Sequence, residues 1–389
     1  MAERKENWQD MYYAFWSAFD AKRVLLGLLG MVMTILWVSG VLWVFSKVGF
    51  IKMGTSMFLI TLVQPPTVAA CRLFKAFTGA FVSGDWRVYL PLALILFGLL
   101  AIWSLVGGAI TRVACLDYAK GDRIGFTDSL KYSKKKFWSY YWAPVAPILG
   151  ALFFILLNGL AGLLGKVKFL EIFIFLGFPF ILLFSFLALF VIIIGLIGCW
   201  LMIPTISVDG SDAFDSMSRA YSYVLSQPLK YFKYLASGAA FGVLAVAIAS
   251  LSVYLLVETS FATVGLGMGQ KFQVIRFAVN EIVEPAGPSA SYSLPIQVKM
   301  ASSILQTTTM ILTALGLLAY LLLLKLFIWS IGAAYVGSAQ TVLYLLMRKE
   351  VDGTEVADIY VEEIESAMPT TTPPPSQPAT PLTTEQEKR

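Results

Sequence analysis

From Ile172 to Val208 no side chain carries a charge. As a single helix, at 1.5 Å per residue, that stretch would be about 55 Å long, against a bilayer hydrocarbon core of ~30 Å. A surface strand or helix would interrupt such a run with polar residues at every second, or every third to fourth, position. The run must therefore lie in lipid or deep inside protein. Composition separates these two cases. Of 389 residues, 14% are charged and 58% are hydrophobic, where a soluble domain carries about 25% charged residues. Too little polar surface remains to wrap so large a core, so the chain reads as an all-α integral membrane protein.

Hydropathy places about six transmembrane helices, roughly Val24–Phe45, Val88–Ile110, Trp142–Leu164, Phe180–Ile203, Leu235–Val257 and Ser302–Phe327. They are helices because a backbone in lipid must satisfy its own hydrogen bonds, and nothing alternates as a barrel strand would. Gly177-Phe178-Pro179 is the expected break in the long fourth run, since proline removes a backbone bond. Phe169–Leu176 then reads as an interfacial or re-entrant piece. In the sixth run the expected interface lies near Lys325, with a bend at Gly332 into a helix along the membrane. The first apolar run begins at Val24 and is long enough to span, so no cleavable signal peptide is expected.

Lys and Arg concentrate in the segments on the N-terminal side of the membrane. The positive-inside rule then puts both termini in the cytoplasm. The most basic inside loop ends in "TDSLKYSKKKFWSYYW". Lys131, Lys134, Lys135 and Lys136 precede an aromatic belt of Phe137, Trp138, Tyr140, Tyr141 and Trp142. Basic residues among rings can hold nucleic acid. Directly before a span, the favoured reading is an anchor to anionic headgroups, with a specific lipid or protein site as the alternative and no nucleic-acid partner.

"FTDSLKYS" (126–133) and "FDSMSRAYS" (214–222) share a Phe, an Asp-Ser pair and a later Tyr-Ser, and "WSAFDAKRV" is a fainter third copy. The pattern reads as a parallel repeat of an interfacial amphipathic helix followed by a transmembrane hairpin. Asp128 and Asp215 are expected at the caps or first turns of these helices, where a carboxylate suits the helix dipole. Gly238 and Gly242 on span five, like Ala333 and Gly337 after span six, have the small-residue spacing that lets helices approach closely.

The organisation expected is an interfacial N-terminal helix (1–23), a transmembrane domain (24–349), an acidic cytoplasmic segment (350–367) and a disordered Thr/Pro-rich tail (368–389). Loop 46–87 should lie outside and carry an amphipathic helix over Val68–Val82. Loop 258–301, with "VGLGMGQK", reads as a flexible exterior loop. Glu171 and Lys325 are the ionisable candidates at depth, both near predicted span ends. Thr307, Thr308, Thr309 and Asn158 are the polar residues available to a central path.

Histidine is absent. That excludes Ser–His and Cys–His nucleophile pairs and HExxH metal sites. Cys71, Cys115 and Cys199 are too scattered for a disulfide framework or a zinc site and read as small buried hydrophobes. Neither a cofactor nor an enzymatic activity is expected.

At "GGAITRVACLDYAKGDRIGFTDSL" (107–130), "WLMIPTISVDGSDAFDSMSRAYSYV" (200–224) and "RKEVDGTEVADIY" (348–360) the chain resembles multi-pass proteins of planctomycete-type bacteria. More distantly it is similar to the membrane domain of glycerophosphodiester phosphodiesterases. The resemblance implies a helical bundle of the bacterial cytoplasmic membrane, with hairpins joined by amphipathic cytoplasmic segments. The phosphodiesterase's catalytic histidines and metal-binding carboxylates have no counterpart here. The expected function is a scaffold or lipid-associated component of the cell envelope, with membrane lipids, and a protein partner or second copy, as its company. The alternative is a transporter or channel for a small or lipidic substrate.

Overall fold

The structure, a computed structural model, describes residues 7–50, 55–64, 66–82, 86–167, 169, 171–283, 304–305 and 307–360. The described residues up to Ile359 belong to one compact unit, and Tyr360 is the single described residue of a second, 360–389. The tail expected to be disordered, residues 361–367 of the acidic segment and residues 284–301 of loop 258–301 lie outside the described residues.

A 3₁₀ turn (Trp8–Asp10) leads into α1 (Met11–Ser17) and α2 (Ala21–Lys47), then α3 (Thr55–Val63), α4 (Pro66–Val82), α5 (Trp86–Lys120), α6 (Phe126–Lys135) and α7 (Phe137–Leu164). The chain continues through α8 (Glu171–Asp209), α9 (Ala213–Ser226), α10 (Pro228–Met268), α11 (Gln270–Val283) and α12 (Thr308–Asp352). Among these, α2, α5, α7, α8, α10 and α12 are long and apolar enough to cross a membrane. The protein is an all-α polytopic membrane protein.

The six long helices make three excursions from one end, here termed basal, which holds α1 and the end of α12. Helices α2, α7 and α10 go out; α5, α8 and α12 return. Each outgoing helix packs on the returning helix that follows it, and the three returning helices pack on one another. The short helices α1, α6 and α9 close the basal end, with α6 folded onto α5 and α9 onto α8. Their faces follow the helical period: Ser129, Tyr132 and Ser133 are buried on α6, and Ala213, Ser216, Ala220 and Tyr223 on α9. Asp128 and Asp215 sit in the first turns, while Asp212 is the residue that caps α9, accepting from the Asp215 amide at 2.9 Å.

Each returning helix stops at a glycine in the left-handed region, Gly121 (φ 76°), Gly210 (φ 65°) and Gly353 (φ 68°). A side chain there would oppose the turn that ends the helix. Before stopping, the returning helices overrun the membrane. Helix α12 has 45 residues, about 67 Å at 1.5 Å each. The overrun is where the main core sits: Cys115, Leu201, Met202, Ile206, Val342, Tyr344 and Met347 are buried in one cluster with Met11 and Ala14 of α1.

Several sequence expectations are corrected. Helix α8 runs unbroken through Gly177 and Pro179; a membrane helix tolerates the one bond that proline forfeits. Residues 171–176 are not a separate piece but the first residues of α8, continuous with the rest of the helix. Helix α12 is uninterrupted through Gly332, which lies 3.7 Å from Val246 of α10, measured from where its Cβ would stand. Helix α5 continues past Ile110, so Arg112 is not in a loop. The boundary at 349/350 falls inside α12, and Val356 and Ile359 beyond it join the main core. Cys71 is exposed rather than buried.

The two outer loops also differ from a surface arrangement. Val68–Val82 is helical within α4, but α3 before it folds back against α2 and α12. The "VGLGMGQK" stretch is helix on both sides of Gly269, and α11 folds back along α10 and α12. There Ile275 and Val279 pack with Met310 and Ala314.

Candidate functional site

Three arginines are buried near the basal end, one each on α2, α5 and α12: Arg23 (0% exposed), Arg112 (3%) and Arg348 (9%). A buried guanidinium is tolerated only when paired and hydrogen-bonded. Arg23 donates to Asp117 Oδ2 at 2.5 Å, to Tyr13 Oη at 3.2 Å and to Ser338 Oγ at 3.4 Å. Tyr13 donates its own hydroxyl to the same Asp117 carboxylate. Arg112 donates to the Ser207 carbonyl at 2.7 Å and lies 4.1 Å from the centre of the Tyr132 ring. Arg348 bonds the Asp358 carbonyl at 2.5 Å and stands 3.4 Å from Asp209. Asp209 also meets Arg219 at 3.1 Å and accepts from Tyr344.

Burial pushes the Tyr13 hydroxyl well above the usual phenol range, and Asp117 adds to this while Arg23 opposes it. Burial likewise raises Tyr223, helped by the Asp352 carboxylate that accepts its proton. Both phenols stay neutral donors, Tyr13 to the Asp117 carboxylate that also serves Arg23 and Tyr223 to Asp352.

Beside Arg23 the basal end opens into a cleft of about 770 Å³ between the 3₁₀ turn, α1, the start of α2 and the end of α5. That volume lies within the range of small-ligand sites. Rings of Trp8, Tyr12, Tyr13, Trp16, Tyr118 and Phe241 wall it, together with Asp10, Asp20, Asp117, Lys22 and Arg123. Tyr118 donates to Asp10 at 2.7 Å, and Lys22 to the Ile124 carbonyl at 3.0 Å. A second, apolar groove of about 370 Å³ is lined by Leu25, Leu28, Leu29 and Val32 of α2 with Phe126.

The basic belt is divided by the structure. Lys131, Lys134 and Lys135 are exposed on the outer face of α6, with Lys131 3.5 Å from Asp128. Lys136 is instead partly buried and donates to the Gly210 carbonyl at 2.6 Å, tying α6 to the end of α8. Trp138 and Trp142 are exposed, and Tyr141 stacks edge-on to both. Tyr140, expected in the belt, is fully buried with its hydroxyl 2.8 Å from Ser207 Oγ. Gly238 offers its carbonyl to Tyr335, and a Cβ on Gly242 would stand 2.6 Å from the same ring. At Gly337 a Cβ would meet Ile110 at 2.5 Å.

At greater depth a polar junction forms where α3 and α11 end. Lys325 donates to the carbonyls of Val63 (2.6 Å) and Gln64, and Gln64 (1% exposed) donates to the Ile282 carbonyl at 3.1 Å. A cation suits the carbonyl end of a helix. Lys325 is thus partly buried against the end of α3, and Glu171 opens α8 with its side chain outside the described residues. Glu258 and Arg276 pair at 2.8 Å between α10 and α11. The threonines expected in a central path lie at the outer start of α12, where Thr307 caps the helix. Asn158 bonds Ser185 at 2.9 Å and ties α7 to α8.

Sequence reasoning missed Arg23, Asp117 and the cleft because Arg23 looked like one more interfacial cation. The aromatic run "WQDMYYAFW" was the available signal, since alternate faces of one short helix carry its buried and exposed rings. Among the described residues no three Cys, Asp or Glu side chains gather as a metal site. No protein-family model, curated protein or solved structure matches the chain.

Proposed function

We propose that the protein is a non-enzymatic, lipid-associated component of a bacterial cytoplasmic membrane, with its basal end and both termini on the cytoplasmic side. The observation that carries this reading is the division of α6. Its small and aromatic residues face α5, while Lys131, Lys134 and Lys135 face outward beside the exposed rings of Trp138 and Trp142. Lysines near anionic headgroups gain about 1 kcal/mol each, and tryptophans favour the same depth. Anionic phospholipid is the partner assigned to this face. The test is native mass spectrometry of the purified protein after extraction in mild detergent. Changing Lys131, Lys134 and Lys135 together to Gln should lower the number of phosphatidylglycerol molecules retained. Equal retention would sink the reading. Lys136 is left alone because it holds α6 to α8.

A second reading, transport, is favoured by the junction of Lys325, Gln64 and the ends of α3 and α11. Helices that end inside a bundle and aim carbonyls at a polar centre are a feature of transporters. Placing a single cysteine at Gln64, with Cys71, Cys115 and Cys199 replaced by Ser, tests it. Labelling by a membrane-impermeant thiol reagent would favour a path, whereas protection from both sides would count against one.

A further inference from the structure

We infer that the basal cleft is a binding site for a phospholipid whose headgroup carries both an ammonium and a phosphate. Three features of the cleft point to that chemistry. Its wall is aromatic, with Tyr13 and Tyr118 at 5.0 Å between ring centres and Tyr12 edge-on to Trp16 at 6.0 Å. Aromatic faces attract organic cations electrostatically, most strongly when these are partly dehydrated. Carboxylates stand among the rings: Asp117 meets both Arg23 and Tyr13 through Oδ2, and its carboxylate has lone pairs for a further donor. Asp20 is partly exposed, 4.0 Å from Arg23 Nε, which has no hydrogen-bond partner. Lys22 and Arg123 in the same lining supply positive charge. An ammonium among rings and carboxylates, with its phosphate toward Lys22 and Arg123, satisfies both signs of charge together. A purely anionic headgroup would bring no cation to Asp20 and Asp117.

The apolar groove identifies the source of the headgroup. It starts at Leu25, one helical turn beyond Lys22, and climbs α2 through Leu29 and Val32, with Phe126 two residues from the cleft's Ile124. A soluble phosphoamine has nothing to place there, but an acyl chain does. This site is distinct from the lysine face of α6 and does not rest on the function proposed above.

The test uses purified full-length protein in a non-ionic maltoside, titrated with short-chain lipids while tryptophan emission is read. Dihexanoyl phosphatidylcholine and phosphatidylethanolamine should give saturable changes, and dihexanoyl phosphatidylglycerol should not. Asp20→Asn and Trp16→Leu should each weaken binding at least fivefold. Phosphocholine alone should bind at least tenfold more weakly than the lipid. Choline, which lacks the phosphate, separates binding from folding: Asp20→Asn should weaken it, whereas Arg123→Gln should leave it unchanged while weakening the lipid. The Lys131/Lys134/Lys135→Gln variant should bind as wild type. Equal binding of phosphatidylglycerol, or no saturable change with any zwitterionic lipid, would overturn the inference. Equal binding of phosphocholine would overturn the lipid as its source.

Discussion

Helix α8 belongs to two different environments. Near the basal end Leu201, Met202 and Ile206 are fully buried against α5, α9 and α12, whereas farther along Phe175 is 78% and Phe186 61% exposed. Both stretches are apolar, and the difference is what surrounds them. The outer part of the α7–α8 hairpin faces lipid, which solvates a phenylalanine as well as another side chain would, so nothing drives further helices onto it. The basal part leaves the bilayer, where exposed leucine costs free energy and unpaired arginine costs more. There the same helix acquires partners, and the polar network with its cleft is built among them. Order and chemistry are concentrated where the helices overrun the membrane.

The largest test of this contrast is Asp117→Ala, which leaves the Arg23 guanidinium buried without its carboxylate. Stability should fall by about 3–5 kcal/mol, read as a lowered unfolding temperature in detergent. The double change Arg23→Met with Asp117→Leu should recover much of that loss, because it removes the buried charge as well as its partner. A loss under about 1 kcal/mol for the single variant would break the contrast. Next in size is Gly337→Val, whose side chain would run into Ile110 across the α5–α12 contact. Overpacking there should cost about 1–3 kcal/mol, while the same change at Gly159, which has nothing within 4 Å of a Cβ, should cost far less.

A pH titration sharpens the comparison further. Tyr13 and Tyr223 have raised pKa values in the folded protein. Unfolded tyrosines ionise near pH 10. Above that pH the unfolded state holds fewer protons than the folded one, so stability contributed by these groups is complete below about pH 10 and declines as pH rises beyond it. Tyr13→Phe should make the decline shallower, measured as unfolding temperature between pH 8 and pH 11. The smallest effect is expected for Leu196→Ala on the exposed side of α8, within about 0.5 kcal/mol. A loss comparable to that of a buried leucine would mean that another surface, such as a second copy, covers this hairpin.

Six spans and the amphipathic character of α6 and α9 were legible because hydropathy and helical period are local properties. Each depends on residues within a few turns, and lipid enforces helix wherever the run is long enough. The same local rule misjudged helix ends. Gly177, Pro179 and Gly332 weaken a helix by amounts that neighbouring packing and the lipid setting override. The sites were the least legible part. Arg23 reaches Asp117 across 94 positions of chain and Ser338 across 315, and Lys325 finds the carbonyls of α3 at a separation of 262. A sequence shows that such charges exist and must be compensated. Which carboxylate, carbonyl or ring compensates them is set by how three returning helices meet, because desolvation is decided by every neighbour a group acquires on folding and not by the residues beside it in the chain.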